Sequence, residues 1–355
     1  MKTFIILLLV VSNPFAQESK YYFYSPEFKQ GSEYFNNPLT VFLNGSYDIL
    51  RNGGHNKDIT AIQYHTGFNN VWWNLSHPLT SIKQYGWKNF LYEELLPLSL
   101  DEDKAQFFPN YFHHVIGGGF IYVKTAEWYD YHGFPWPKTA SLLTSTAYNL
   151  LNEATENGGY KGVNTDPIAD LLIFNPLGYI LFEFDFVKKF FSKTAPLYDW
   201  SLQPALTVRN MFLENAGQQF VIKYDPQLVE NYSLFWYWGI CGIVGITYSS
   251  DKINNFSVGA GQIVNKLKDK RRRNSRIVTP NLDGALGFFY DRENSLLASL
   301  ILTGPGLYNA RLNIYPGLFN IGPLDPGFFV GYGEWDKLIV GITYARIPLG
   351  ISFSK

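Results

Sequence analysis

Between Trp236 and Tyr248 large apolar residues alternate with small or neutral ones. Trp236, Trp238, Ile240, Val244, Ile246 and Tyr248 fall on one side of an extended chain, and Gly239, Cys241, Gly245 and Thr247 on the other, because successive side chains of a strand point to opposite faces. Aromatics near both ends of the apolar face fit a membrane-spanning strand, which needs roughly 9–11 residues. The alternation recurs downstream. Leu282, Leu286, Phe288 and Tyr290 oppose Asp283, Ala285 and Gly287; Ala310, Leu312 and Ile314 oppose Arg311 and Asn313; Leu338, Val340, Ile342 and Tyr344 oppose Lys337, Gly341 and Thr343. Phe220 to Tyr224, Phe256 to Val264, Leu296 to Thr303 and Ile347 to Phe353 are further strands, with turn residues at Asp225-Pro226, Gly304-Pro305-Gly306 and Gly333 to Asp336.

Leu39 to Ile49 reads as an earlier strand, with Leu39, Val41, Leu43 and Tyr47 against Thr40, Asn44, Ser46 and Asp48. The total comes to roughly 12–14 strands, and an even number is expected of a bacterial barrel. A water-soluble sandwich alternates too, but it buries its apolar face in its own core. Barrels of this kind often end on an aromatic residue, whereas Phe353 is followed here by Ser354 and Lys355.

From about Pro109 to Ser192 the period becomes helical. Asn110 to His132 forms one helix softened by Gly117, Gly118 and Gly119; Lys138 to Glu156 forms a second, closed by Asn157-Gly158-Gly159. Asp166-Pro167 starts a third that reaches about Phe191, with a kink expected at Pro176. The expected fold is therefore an all-β transmembrane barrel of antiparallel strands with a three-helix insert. Its divisions are residues 1–16 as a signal peptide, 17–103 as N-terminal barrel strands, 104–195 as a helical plug or periplasmic module, and 196–355 as C-terminal barrel strands. Met1 to Ala16 supplies the signal: Lys2 is the positive start, Phe4 to Val11 the apolar stretch and Ala16 the small residue at the cut. The outer membrane of a Gram-negative bacterium is the expected location.

Composition agrees with half-apolar strands: 18% of residues are aromatic and 31 are glycine. A net charge of −1 gives no support for nucleic-acid binding. With Cys241 as the only cysteine, no internal disulfide can form.

Asn110-Tyr-Phe-His113-His114-Val-Ile-Gly117 resembles the Asn-x-x-His-Pro-x-x-Gly signature of a family of Gram-negative outer-membrane proteins whose shared domain has no assigned function; His114 stands where that pattern has proline. Asn152-Glu153 is similar to the family's acidic position, Asp166, Asp170, Asn175, Gly178 and Glu183 to its closing helix, and Trp87 to the tryptophan ahead of the histidine motif. The resemblance implies a barrel bearing a helical module and implies no reaction.

The insert gathers His113, His114, Glu127, Glu153, Glu156, Asp166, Asp170 and Glu183 among apolar residues. A histidine beside a carboxylate is the minimum equipment of a general base, so His113 or His114 with Glu153 or Asp170 is the candidate catalytic set of a lipid-modifying hydrolase or acyltransferase. Ser141 and Ser145 lack a nucleophile-elbow turn. The alternative is that these groups bond one another and the backbone, since each left unpaired costs about 1–3 kcal/mol. Adjacent histidines point about 100° apart on a helix and do not grip one ion together, so no metal and no cofactor are expected, although Asp166 and Asp170 share a face. Lys266, Lys268, Lys270, Arg271, Arg272, Arg273 and Arg276 form a basic loop suited to lipid phosphates or lipopolysaccharide. The expected activity is a plugged pore or a lipid- or partner-binding envelope protein; a structural barrel that docks other envelope proteins is a further alternative.

Overall fold

The computed structural model describes residues 20–52, 57–96, 112–239, 241–272, 275–304, 308–319, 325–333 and 337–355. The expected signal segment, Asn110, Ile240 and Arg273 lie outside them. Helices occupy the first half, and the strands run from Leu197 to Ser354.

The expected N-terminal strands are helices instead: α1 Gly31–Phe35, α2 Pro38–Ser46, α3 Tyr64–Ser76, α4 Pro78–Tyr85 and α5 Trp87–Asn89, the last continued by a π-helical turn Phe90–Leu95. The stretch from Leu39 is helical because Asn37 caps it, its side chain accepting from the amides of Leu39 and Thr40, while Pro38 presets the first turn. Local capping overrode a fortuitous alternation.

The insert is helical as expected, with different breaks. A π turn Phe112–Gly117 leads into α6 Gly118–Tyr131, and α7 spans Pro137–Asn157. α8 Asp166–Ala169, a π turn Asp170–Phe174 and α9 Asn175–Glu183 follow. The missing donor of Pro176 is absorbed by the π turn just before it. The sharp bend, 84°, comes at Phe184, where the backbone is extended before α10 Asp185–Lys189 and a last π turn Phe190–Thr194. Among the described residues no single helix is long and apolar enough to cross a membrane.

Among the described residues thirteen strands make one mostly antiparallel sheet: β1 Leu197–Asp199, β2 Ala205–Thr207, β3 Leu213–Glu214, β4 Phe220–Tyr224, β5 Tyr232–Trp238, β6 Cys241–Ser249, β7 Asn254–Arg272, β8 Ser275–Arg292, β9 Ser295–Thr303, β10 Ala310–Ile314, β11 Pro326–Tyr332, β12 Leu338–Tyr344 and β13 Ile347–Ser354. The order is β1-β4 through β13 in sequence, then β2-β3, with β13 and β2 parallel. The terminal strands β1 and β3 do not pair with each other, so the sheet is not closed into a barrel by that contact, and the even strand number is not met. The stretch Trp236 to Tyr248 is two strands, folded back at Gly239, where a Cβ would stand 2.6 Å from the Gln218 carbonyl. The shared face survives the fold because Trp236 pairs with Val244 and Leu234 with Ile246. The expected basic loop is also ladder: Lys270, Arg271 and Arg272 pair with Ile277, Arg276 and Ser275 on the long β7–β8 hairpin.

One row of cross-strand partners runs Leu234, Ile246, Val258, Phe288, Leu300, Leu312, Val330, Val340 and Phe353. Its neighbour runs Tyr232, Tyr248, Phe256, Tyr290, Ala298, Ile314, Phe328 and Ile342. This face is apolar, yet much of it is exposed: Val244 is 61% and Phe353 65% accessible. The opposite face carries Thr247, Ser257, Ser299, Asn313, Thr343 and Ser352, all buried. The sheet curls around that face, where apolar side chains are buried beside the polar ones. Lys223 on β4 reaches Asp291 on β8 at 2.7 Å, Asn215 after β3 reaches Asn313 on β10 at 2.7 Å, and Trp200, Phe235, Tyr237, Phe289 and Tyr315 pack in the concavity.

The helices of the insert do not fill this concavity. Phe220 and Trp238 lie on the apolar, convex face by register, and there Phe112, Gly117 and Phe120 pack against them. A plug is therefore not what α6 to α9 form. N-terminal segments instead meet the sheet's rims: Lys57 reaches Glu214 at 2.6 Å, and Gly31 sits against Ser295 and Leu296.

Candidate functional site

Asn70 and Asn74 of α3 fix the loop between α7 and α8. Asn70 donates to Asn157 Oδ1 at 2.8 Å and accepts from the Gly162 amide at 2.9 Å; Asn74 accepts from Ser81 Oγ and from the Asn164 amide at 3.1 Å. This amide lattice holds the start of α8, with Asp166 and Asp170 one turn apart on the same face, as their spacing predicts. Glu153 of α7 meets them: one carboxylate oxygen from each of Glu153, Asp166 and Asp170 lies within 4.8 Å of the others.

The π turn before α6 delivers His114 to the same place. α9 passes close enough for this because Gly178 has no side chain; a Cβ there would be 2.6 Å from the Val115 carbonyl. His114 Nε2 stands 3.0 Å from Asp170 Oδ2, and Nδ1 lies 2.8 Å from Asn175 Oδ1. His114 is 7%, Asp170 2% and Glu153 3% exposed. Both partners of the ring are acceptors, which suits the imidazolium form. Burial lowers the His114 pKa, but the charge and hydrogen bond of Asp170 and the bond to Asn175 outweigh it and raise it. Glu153 goes the same way for another reason: burial, and then the negative charges of Asp166 and Asp170, hold its carboxyl well above the usual range.

Glu94 completes the cluster from a position outside the insert. It lies buried in the π turn after α5, accepting from Thr165 Oγ1 at 3.0 Å. Burial pushes its carboxyl up to about 7; the Thr165 bond opposes the rise and the charge of Asp170 adds to it. The signal it leaves in the sequence is an acid within an apolar, tyrosine-bearing segment, Phe90–Leu95.

The other candidates are elsewhere or otherwise engaged. His113 turns to the sheet, edge-on to Phe220 and to His114. Gly117 packs on Phe220, and Glu183 accepts from Tyr122 at 2.8 Å and pairs with Lys138 at 2.5 Å. Glu127 accepts three backbone amides, from Tyr22, Phe23 and Tyr24. Ser141 donates to the Tyr122 carbonyl at 2.6 Å, and Trp87 is exposed. With both ring nitrogens of His114 engaged and the group buried, a serine has no base to lean on there. Three carboxylates at this spacing are a donor set that a hard cation can take. A proton held by Glu153 together with a charged His114 compensates the same negative charge.

Fold and site define a β-rich class in which a helical module, locked by a buried histidine–carboxylate cluster, is docked on the convex face of a curled sheet. No family model, curated protein or solved structure matches the chain.

Proposed function

We propose that this chain is a non-conducting β-barrel protein of the Gram-negative outer membrane, with lipid against the convex face of its sheet and the helical module as its lipid- or partner-binding part. The observation that carries this reading is the apolar side chains left exposed along the convex face of the sheet, while Thr247, Ser257, Ser299, Asn313, Thr343 and Ser352 are buried on the concave one. Water disfavours such a surface, at roughly 25 cal/mol for each Å² of apolar area, whereas lipid accepts it. Tyr232, Tyr248, Phe256, Tyr290 and Phe328 line one border of the apolar band, where interfacial aromatics belong.

Closure as a barrel has its own support. β1 and β2 are pieces of one run, and β3 and β4 of its partner; between them Trp200 N–H donates to the Gln219 carbonyl at 2.8 Å and Leu202 N–H to the Gly217 carbonyl at 2.9 Å. Taken as two long strands, these runs leave every strand with a neighbour on both sides. The aromatic filling of the concavity argues against a conducting lumen.

Flotation tests the reading. The purified chain, refolded from urea with phosphatidylcholine vesicles, is expected to float with them through a sucrose gradient, to resist a carbonate wash and to add no conductance to a planar bilayer. A monomer that stays soluble without detergent refutes the membrane assignment, and stable single-channel steps refute the filled lumen.

A further inference from the structure

A cleft of about 660 Å³ opens where the N-terminal segment, the end of α6 and the β12–β13 turn meet. One wall is a stacked pair, Trp128 and His132, with ring centroids 3.8 Å apart and planes at 23°. Two cations line the same cleft, Lys29 and Arg346, both exposed. Arg346 Nε donates to Tyr34 Oη at 3.3 Å, and among the described residues neither cation has a carboxylate within 4.0 Å. The one acid of the lining, Glu33, is already paired with Lys124 at 2.8 Å. Asp325 acts on Arg346 only through its charge at longer range, so among the described residues the cleft presents two cations with no carboxylate in contact. Its mouth adjoins exposed Ile347, which begins the strand that carries Ile351 and Phe353 on the apolar face.

Aromatic walls, cations with no carboxylate in contact and an opening onto an apolar surface are together the complement of an amphiphile with an anionic head. We propose that this cleft binds the phosphate-bearing headgroup of an anionic lipid, with Lys29 and Arg346 as phosphate ligands and the Trp128–His132 stack as the wall for the glycerol region. The inference rests on the membrane reading above, because only a chain set in lipid brings such a headgroup to this height. A zwitterionic head fits worse, since its ammonium group would meet the same two cations.

Native mass spectrometry of the full chain in maltoside detergent tests it with dioleoyl phosphatidylglycerol, dioleoyl phosphatidylcholine and glycerol 3-phosphate as probes. One phosphatidylglycerol is expected per chain, at least tenfold tighter than phosphatidylcholine. Lys29→Gln with Arg346→Gln should weaken it at least tenfold, and Lys83→Gln with Lys88→Gln, an equal charge loss on exposed residues elsewhere, should leave it unchanged. Phosphatidylglycerol binding that ignores the first pair, or equal retention of phosphatidylcholine, overturns the site. Glycerol 3-phosphate binding as tightly as the lipid makes it a free-anion site and overturns the lipid assignment. All four positions are at the surface, so the variants should fold; if they float with vesicles while lipid binding is unaltered, the cleft fails and the membrane reading stands.

Discussion

Glu94→Gln should remove the Glu94 share of a pH dependence in the helical module. The Glu94 carboxyl is pushed up to about 7 in the folded chain against 4.5 as its ordinary value. Between those values the folded protein holds a proton that the unfolded chain has lost, so stability falls as pH rises, by about 1.4 kcal/mol per pH unit. The contribution is fully present below pH 4.5 and gone above about pH 7, a change of about 3 kcal/mol. Glutamine keeps an oxygen for the Thr165 hydroxyl and cannot ionise. The variant should therefore match the wild type near pH 4.5 and exceed it by about 3 kcal/mol at pH 8. Glu153 and His114, both also raised, titrate in the same direction, so a smaller slope remains in the variant. Amide hydrogen exchange of α7 and α8, followed by mass spectrometry from pH 5 to 8 and corrected for intrinsic rates, reads the local opening free energy. Equal slopes in the two proteins, or a variant less stable at pH 8, would refute the buried, protonated state of Glu94.

Two further outcomes separate the faces of the sheet. Ile246→Arg places a charge in the middle of the apolar row and should cost about 2–4 kcal/mol for folding into phosphatidylcholine vesicles, measured by urea titration; a cost below 1 kcal/mol would indicate water at that face. On the concave side, Lys223→Met strands Asp291, which is fully buried, and should cost about 3–5 kcal/mol, while Lys223→Met with Asp291→Leu should restore most of it in the same titration. A double variant no better than the single one would argue against an isolated pair.

The sheet was legible because its signal is local. Alternation with period two holds along β6, β8 and β12 and puts Val244, Leu286 and Val340 on one face whatever their partners are. It could not tell one long strand from a hairpin, because the β5–β6 turn at Gly239 keeps the face that Trp236 and Val244 share. The same period misled from Leu39 to Ile49, where a chance alternation stood behind an Asn-Pro helix start.

For the site, Asp166 and Asp170 are one helical turn apart, so their shared face followed from spacing alone. Which histidine joins them did not. His113 and His114 differ by one position, and the choice fell to the π turn at Phe112–Gly117 and the close crossing of α9 at Gly178. Glu94 arrives from 59 positions before Glu153 in the chain, through contacts that no local pattern encodes. The sequence by itself determined the strand faces, the helical character of the insert and the pool of ionisable groups, because these depend on neighbours a few residues away. Only tertiary structure decided that the helices dock on the convex face, that aromatics fill the concavity of the sheet, and which acids burial pushes toward the protonated form, because each depends on distances between segments remote in the chain and on the water excluded between them.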